Sequence, residues 1–183
     1  MQMGLPDKMQ LHHHGSHMEI TRKWFGLQTV LLTGFAVFWD LFLLKWYDDV
    51  LQQDADIFFV LFPLLHVAVG IGLTYYVIAS WFNTTHITVN NLELGVAHRP
   101  LPWIGSKKIL SGNLAQLYSK EKVSRTSKGG RSVTYEVRAN TKDGRNIKIV
   151  SGLENQEQAL YIEQQIEQYL NIEDARVRGE FKM

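Results

Sequence analysis

Two long apolar stretches dominate the first half of the chain, and short stretches of alternating apolar and polar residues dominate the second half. The apolar stretches cover residues 24–47 and 57–82. Each exceeds the ~20 residues that an α-helix needs to cross ~30 Å of hydrocarbon. Aromatic residues lie at both ends of each stretch, as is typical of helices that end among lipid headgroups. The pattern predicts a membrane α-helical hairpin of two transmembrane helices in residues 18–83, kinked at Pro63.

Charges beside the two stretches predict the orientation of the hairpin. The connector DDVLQQDAD, residues 48–56, has four carboxylates and no basic residue. Basic residues flank the other ends: Arg22, Lys23, Arg99, Lys107 and Lys108. Because basic flanks remain on the cytoplasmic side of a membrane, we expect both termini to be cytoplasmic and the connector to lie outside.

Charged and ionisable residues inside the apolar stretches are candidates for function. Lys45 lies close enough to the end of its helix for its side chain to reach the headgroups. Asp40 lies deeper, and residues at equal depth in the hairpin have numbers that sum to about 106, which sets Asp40 level with His66. We expect these two to pair within the hairpin. Such a pair can fix the helix register, or it can serve proton transfer or metal binding.

From Thr84 the pattern changes to a period of two residues. HITVNNLELGVAH, SKKILSGN, LAQLYSKEKVSR, RSVTYEVRAN and RNIKIVSG read as strands separated by turns. LENQEQALYIEQQIEQYL then has helical spacing, with Ala159, Ile162 and Ile166 on one face and glutamates and glutamines on the other. Residues 84–171 are therefore predicted to form a mainly-β domain of about six antiparallel strands and a C-terminal helix, followed by a tail at 172–183.

The order of these elements resembles the pleckstrin-homology (PH) fold, in which a final helix caps a strongly bent sheet. The phrases PLPWIGSKKI and LYSKEKV, together with the preceding hairpin, resemble bacterial membrane proteins that carry a PH-like domain, a family without an established activity. The resemblance implies a multi-pass protein of a bacterial inner (cytoplasmic) or internal membrane.

The first 17 residues look unrelated to the fold. LHHHGSHM, at residues 11–18, has the appearance of a truncated histidine tag followed by a cleavage scar. Residues 1–17 are therefore excluded from the expected domains and from metal-site considerations. The chain has no cysteine, so it offers neither disulfides nor cysteine-based metal sites.

The predicted β domain is basic. Residues 84–150 contain twelve Lys or Arg against four Asp or Glu, whereas residues 151–183 contain three against seven. Seven basic residues surround one predicted hairpin and the strand before it: Lys107, Lys108, Lys120, Lys122, Arg125, Lys128 and Arg131. Near a membrane this cluster is expected to bind anionic lipid or an acidic protein segment. Aromatic residues are not interleaved with it, which disfavours nucleic acid.

These patterns favour a scaffold or interaction protein rather than an enzyme. No catalytic motif or phosphate-binding glycine loop is found, and we expect neither a cofactor nor a metal. The expected partners are membrane lipids and either another membrane protein or a second copy of the chain. The alternative function is that of a component of a transport or proton-handling complex that uses Asp40 and His66.

Overall fold

A computed structural model describes residues 4–53, 56–125 and 130–173, together with residues 175 and 177, and it divides into two compact units. Trp24–Asn83 form one unit, which we call the apolar hairpin. Met1–Lys23 and Thr84–Met183 form the other, which we call the β domain. The apolar hairpin is therefore an insertion within the sequence of the β domain.

The elements of each unit follow in chain order. The apolar hairpin contains α1 (Leu27–Gln52), α2 (Ile57–Leu61) and α3 (Leu64–Phe82). The β domain contains β1 (Met9–His13), β2 (Met18–Lys23), β3 (Thr84–Val89), β4 (Glu93–Arg99), β5 (Lys107–Leu110), β6 (Leu114–Arg125), β7 (Arg131–Thr141), β8 (Asn146–Leu153) and α4 (Gln156–Leu170).

The strands form two antiparallel sheets. Sheet A has the order β1-β2-β3-β4-β5, and sheet B has the order β6-β7-β8. The six strands and the C-terminal helix expected between residues 84 and 171 are all present. Alternation of buried and half-buried residues along β3 and β4 explains why these strands are recognisable in the sequence.

The start of the chain departs from the sequence-based division, because β1 and β2 belong to sheet A. Met9 is 4% exposed, Met18 is 1% exposed and Ile20 is fully buried, so all three are part of the core. Lys8 Nζ also donates to both carboxylate oxygens of Glu154, at 2.9 and 2.7 Å. Excluding residues 1–17 from the fold was therefore wrong. The β domain starts before the apolar hairpin, and the boundary of the hairpin lies at residue 24 rather than 18.

One hydrophobic core unites the two sheets and α4. Sheet B contributes Leu117, Val137 and Ile149, and α4 contributes side chains from its predicted apolar face, Ala159, Ile162 and Ile166. Each fully buried Leu, Val or Ile side chain stabilises the fold by roughly 1.5–3 kcal/mol. All members of the described core belong to the β domain.

The polar face of α4 is less exposed than its spacing suggests. Asn155 caps the helix by accepting a hydrogen bond from Gln158 N at 2.9 Å. Gln158, Glu163 and Glu167 were expected on the solvent face, but they are 1%, 4% and 6% exposed. Hydrogen bonds offset the burial of Gln158 and Glu167: Gln158 Oε1 accepts from Arg22 Nε at 3.1 Å, and Glu167 Oε1 accepts from Gln116 Nε2 at 2.9 Å.

The helices of the apolar hairpin meet along a narrow seam. Thr29, Ala36 and Leu43 of α1, spaced seven residues apart, are buried, as are Gly70 and Val77 of α3. Most of the other apolar side chains are exposed. In the most apolar part of Leu27–Gln52 only 17% of the residues are buried, and in that of Ile57–Phe82 only 11%. Both helical segments, Leu27–Gln52 and Ile57–Phe82, are long and apolar enough to cross a membrane.

Candidate functional site

Aromatic donors of α1 lie opposite the break in the second apolar segment. Pro63 interrupts this segment between α2 and α3, as expected. Because proline has no N–H, the carbonyl of Phe59 loses its usual helical donor. Trp46 Nε1 donates to that carbonyl at 3.3 Å, and the Tyr47 hydroxyl donates to the carbonyl of Val60 at 3.1 Å. An unsatisfied carbonyl among apolar side chains is costly, so these two hydrogen bonds stabilise the kink.

Asp40 forms a hydrogen bond with α3, but the partner is not the residue expected from the sequence. Its Oδ2 accepts a hydrogen bond from Thr74 Oγ1 at 2.7 Å. Gly70 makes room for the carboxylate, since a Cβ at that position would lie 3.1 Å from Asp40 Oδ1. The hydroxyl and the small residue together explain how a carboxylate is accommodated between two apolar helices.

The expected pair of Asp40 and His66 is wrong. Trp39, rather than Asp40, reaches His66: its Nε1 donates to the His66 carbonyl at 3.2 Å, and the two rings stack at 5.9 Å. The depth rule set Asp40 level with His66, but Asp40 lies against Gly70 and Thr74, four and eight residues further along α3, which is roughly 6–12 Å at ~1.5 Å rise per residue. Among the described residues, His66 Nδ1 is buried without a hydrogen-bond partner.

The contact between Asp40 and Thr74 predicts an energetic coupling. In detergent micelles, Asp40→Asn combined with Thr74→Val should cost less than the sum of the single changes, by roughly 0.5–1.5 kcal/mol. The measurement is the free energy of unfolding of each variant. Asp40→Asn combined with His66→Gln is the control and should be additive. Additivity in the first pair would show that the hydroxyl and the carboxylate do not interact.

The six described residues of the predicted basic cluster are divided between the two sheets. Lys107 and Lys108 are in β5 of sheet A, and both have partners. Lys107 Nζ donates to the Lys148 carbonyl at 2.8 Å, and Lys108 Nζ pairs with Glu93 at 2.8 Å. Burial, followed by the charge of Lys148, lowers the pKa of Lys107. These two ammonium groups are therefore largely engaged within the protein.

Three cations of the β6–β7 hairpin remain available. The side chains of Lys120, Lys122 and Arg125 are exposed, and within the described ranges none of them forms a hydrogen bond or an ion pair. Arg131 differs because its Nη2 lies 3.2 Å from Glu121 Oε1. Lys128 falls outside the described residues. We refer to Lys120, Lys122 and Arg125 as the basic triplet.

Strand geometry sets the arrangement of the basic triplet. Lys120 and Lys122 are two residues apart in β6, so they project from the same face. Arg125 stands on the other face, opposite Arg131 in the register. The residue opposite Lys120 is Glu136, but its carboxylate is buried and pairs with Arg138 at 2.9 Å. Glu136 therefore does not pair with Lys120, although the two are opposite each other on neighbouring strands.

Arg22 has a structural role that its sequence position did not indicate. It counted as a basic flank of the first apolar stretch, but in β2 it is only 8% exposed. Its guanidinium donates to Gln158 Oε1 at 3.1 Å and to the Gly152 carbonyl at 3.2 Å. Spacing within β2 could have indicated this, since Arg22 shares the buried face of Met18 and Ile20.

Two histidines of sheet A, one in β3 and one in β4, have local partners. His86 Nδ1 lies 2.8 Å from Glu19 Oε1, and this hydrogen bond lowers the pKa of the Glu19 carboxyl. His98 Nδ1 lies 3.0 Å from Thr85 Oγ1. Burial lowers the pKa of His98, and nearby Lys107 lowers it further. In the part of the chain that the structure describes, no group of three ligating side chains is arranged to hold a metal ion.

Comparison with known proteins adds no family to this description. No family model matches the chain, and no curated protein matches it in sequence.

Proposed function

We propose that this protein is a membrane-anchored scaffold whose β domain docks on anionic lipid through the basic triplet. In this proposal the apolar hairpin crosses a bacterial cytoplasmic or internal membrane twice. The β domain lies on the cytoplasmic side. It is a PH-like domain, as in the bacterial membrane proteins that the sequence resembles. No catalytic step is part of the proposal.

The exposed, unpaired basic triplet is the observation that carries the proposal. Among the described residues the side chains of Lys120, Lys122 and Arg125 have no partner, whereas Lys107, Lys108 and Arg131 contact the Lys148 carbonyl, Glu93 and Glu121. Each basic residue near an anionic leaflet contributes about 1 kcal/mol of attraction. Anchoring by the hairpin raises the effective concentration of the domain at the surface, so even the two contacts from one face, those of Lys120 and Lys122, favour one orientation.

The transport alternative is based on Asp40 and His66 acting together. Asp40 bonds to Thr74, and the His66 carbonyl accepts from Trp39, so these contacts give the alternative no support, and we keep the scaffold as the proposal.

The test uses the full chain in nanodiscs. Ser124, which is exposed in β6, is changed to cysteine and labelled with a fluorescent donor, and the lipid carries an acceptor. The chain has no other cysteine, so the label is specific. Energy transfer should be greater in discs containing phosphatidylglycerol than in neutral discs. It should weaken with salt, because the Debye length falls from ~10 Å at 0.1 M to ~3 Å at 1 M.

Matched variants locate the effect. Changing the basic triplet to Gln should abolish the response to anionic lipid. Changing Lys142 and Arg145 of the β7–β8 turn and Lys148 of β8, all exposed, removes the same charge and should leave most of the response. Equal transfer in anionic and neutral discs would overturn the proposal and would favour an acidic protein segment as the partner. An equal loss in both variants would show that net charge alone, and no specific site, is responsible.

A further inference from the structure

The loop between β4 and β5, residues 100–106, presents an apolar side chain to solvent. Ile104 is 92% exposed, the highest exposure among the large hydrophobic residues described. Removing such a side chain from water is favourable. Single exposed apolar residues are common on protein surfaces, so the position of this one decides what it means.

The register of sheet A places this loop at one particular end of the sheet. Lys23, the last residue of β2, pairs with Thr84, the first residue of β3, and Thr84 pairs with Arg99, the last residue of β4. The chain leaves sheet A for the apolar hairpin after Lys23 and returns at Thr84. The loop that follows Arg99 is therefore at the same end of the sheet as both connections to the hairpin.

Two exposed cations accompany the loop. Lys23 and Arg99 are exposed, and both pair with Thr84, so they project from the same face of sheet A. An exposed apolar residue with basic neighbours is the composition of segments that rest in a membrane interface, where the apolar group enters and the cations contact headgroups.

The loop is held in one shape. Gly105 has φ +110°, and a Cβ there would lie 3.3 Å from His98 Nε2. Ser106 Oγ accepts a hydrogen bond from His98 N at 3.4 Å. These contacts fix the residues that follow Ile104, so less conformational entropy is lost when the loop meets a surface.

We propose that the β4–β5 loop inserts Ile104 into the interface of the bilayer that the apolar hairpin crosses. The β domain then has an apolar contact with lipid in addition to its two chain connections. This inference rests on the membrane anchoring of the proposed function, but it does not depend on the basic triplet or on anionic lipid.

The test compares two single-cysteine variants of the full chain in nanodiscs. Ile104→Cys carries a polarity-sensitive fluorophore in one. Leu92→Cys carries it in the control, because Leu92 is 79% exposed and lies in the turn between β3 and β4 at the opposite end of sheet A. The label at 104 should emit at shorter wavelength, and brominated or nitroxide-bearing lipids should quench it. The label at 92 should show neither effect.

Lipid composition separates this inference from the proposed function. Quenching at position 104 should occur in neutral and in anionic discs, whereas orientation by the basic triplet requires anionic lipid. If the label at 104 is quenched no more than the label at 92, the inference fails, even when the triplet responds to phosphatidylglycerol. Quenching at 104 without a response of the triplet would support the loop contact and overturn the lipid-docking role alone.

Discussion

Replacing residues 24–83 with a short turn such as Asn-Gly should leave a β domain that folds without detergent. Lys23 and Thr84 are opposite each other on neighbouring antiparallel strands, and a short turn is the usual connection in that geometry. No member of the described core comes from the removed segment. Because the removed helices supply most of the exposed apolar side chains, the fused domain should also be much more soluble than the full chain.

Two shortened forms of this fused domain test the role of the N-terminal strands. Starting the fusion at Met18 removes β1 and the buried Met9, so stability should fall by about 2–5 kcal/mol, the usual cost of deleting a large core side chain. The fragment beginning at Thr84 also loses Met18 and Ile20 and should not unfold cooperatively. Thermal unfolding followed by circular dichroism distinguishes the three proteins.

The histidines provide the control. His12, His13 and His14 are exposed in the structure, so changing all three to Ser in the fused domain should alter stability by no more than about 0.5 kcal/mol per residue. A fragment from Thr84 that melts at the same temperature as the whole fusion would contradict the placement of β1 and β2 in sheet A. A fusion that aggregates unless detergent is present would mean that the hairpin completes the core.

Local periodicity explains which parts of the fold were predictable. β3 and β4 alternate between buried and half-buried positions, and the strands from Thr84 onward pair mostly with strands adjacent in sequence. β2 pairs with β3 across the whole apolar hairpin. Its short alternating pattern is adjacent to LHHHGSHM, whose resemblance to a tag concealed it. Pairing over such a sequence separation has no local signal.

The candidate sites were predictable only in part, because side-chain partners depend on the fold. Sequence proximity grouped all the basic residues together, whereas ion pairs with Glu93 and Glu121 engage Lys108 and Arg131. Similarly, counting residues along the two stretches set Asp40 level with His66. Its contacts with Gly70 and Thr74, four and eight residues further along α3, depend on how the two helices pack.

The second prediction with a large expected effect is the side of the membrane on which the β domain lies. β2 and β3 are neighbours in one sheet, so if the hairpin crosses a membrane, both of its ends must lie on the same side. The acidic connector and the exposed basic residues Lys23 and Arg99 then favour a cytoplasmic β domain. We therefore expect the end of α1 to be reachable only from outside the cell, and β8 only from inside.

The most direct measurement is the labelling of single cysteines in intact bacterial cells that express the full chain. Gln52 and Ser151 are both exposed, and a membrane-impermeant maleimide should modify Gln52→Cys at once. Ser151→Cys should react only after the membrane is permeabilised. Labelling of Ser151→Cys but not Gln52→Cys in intact cells would reverse the orientation, and equal labelling of both would contradict a hairpin that crosses the membrane.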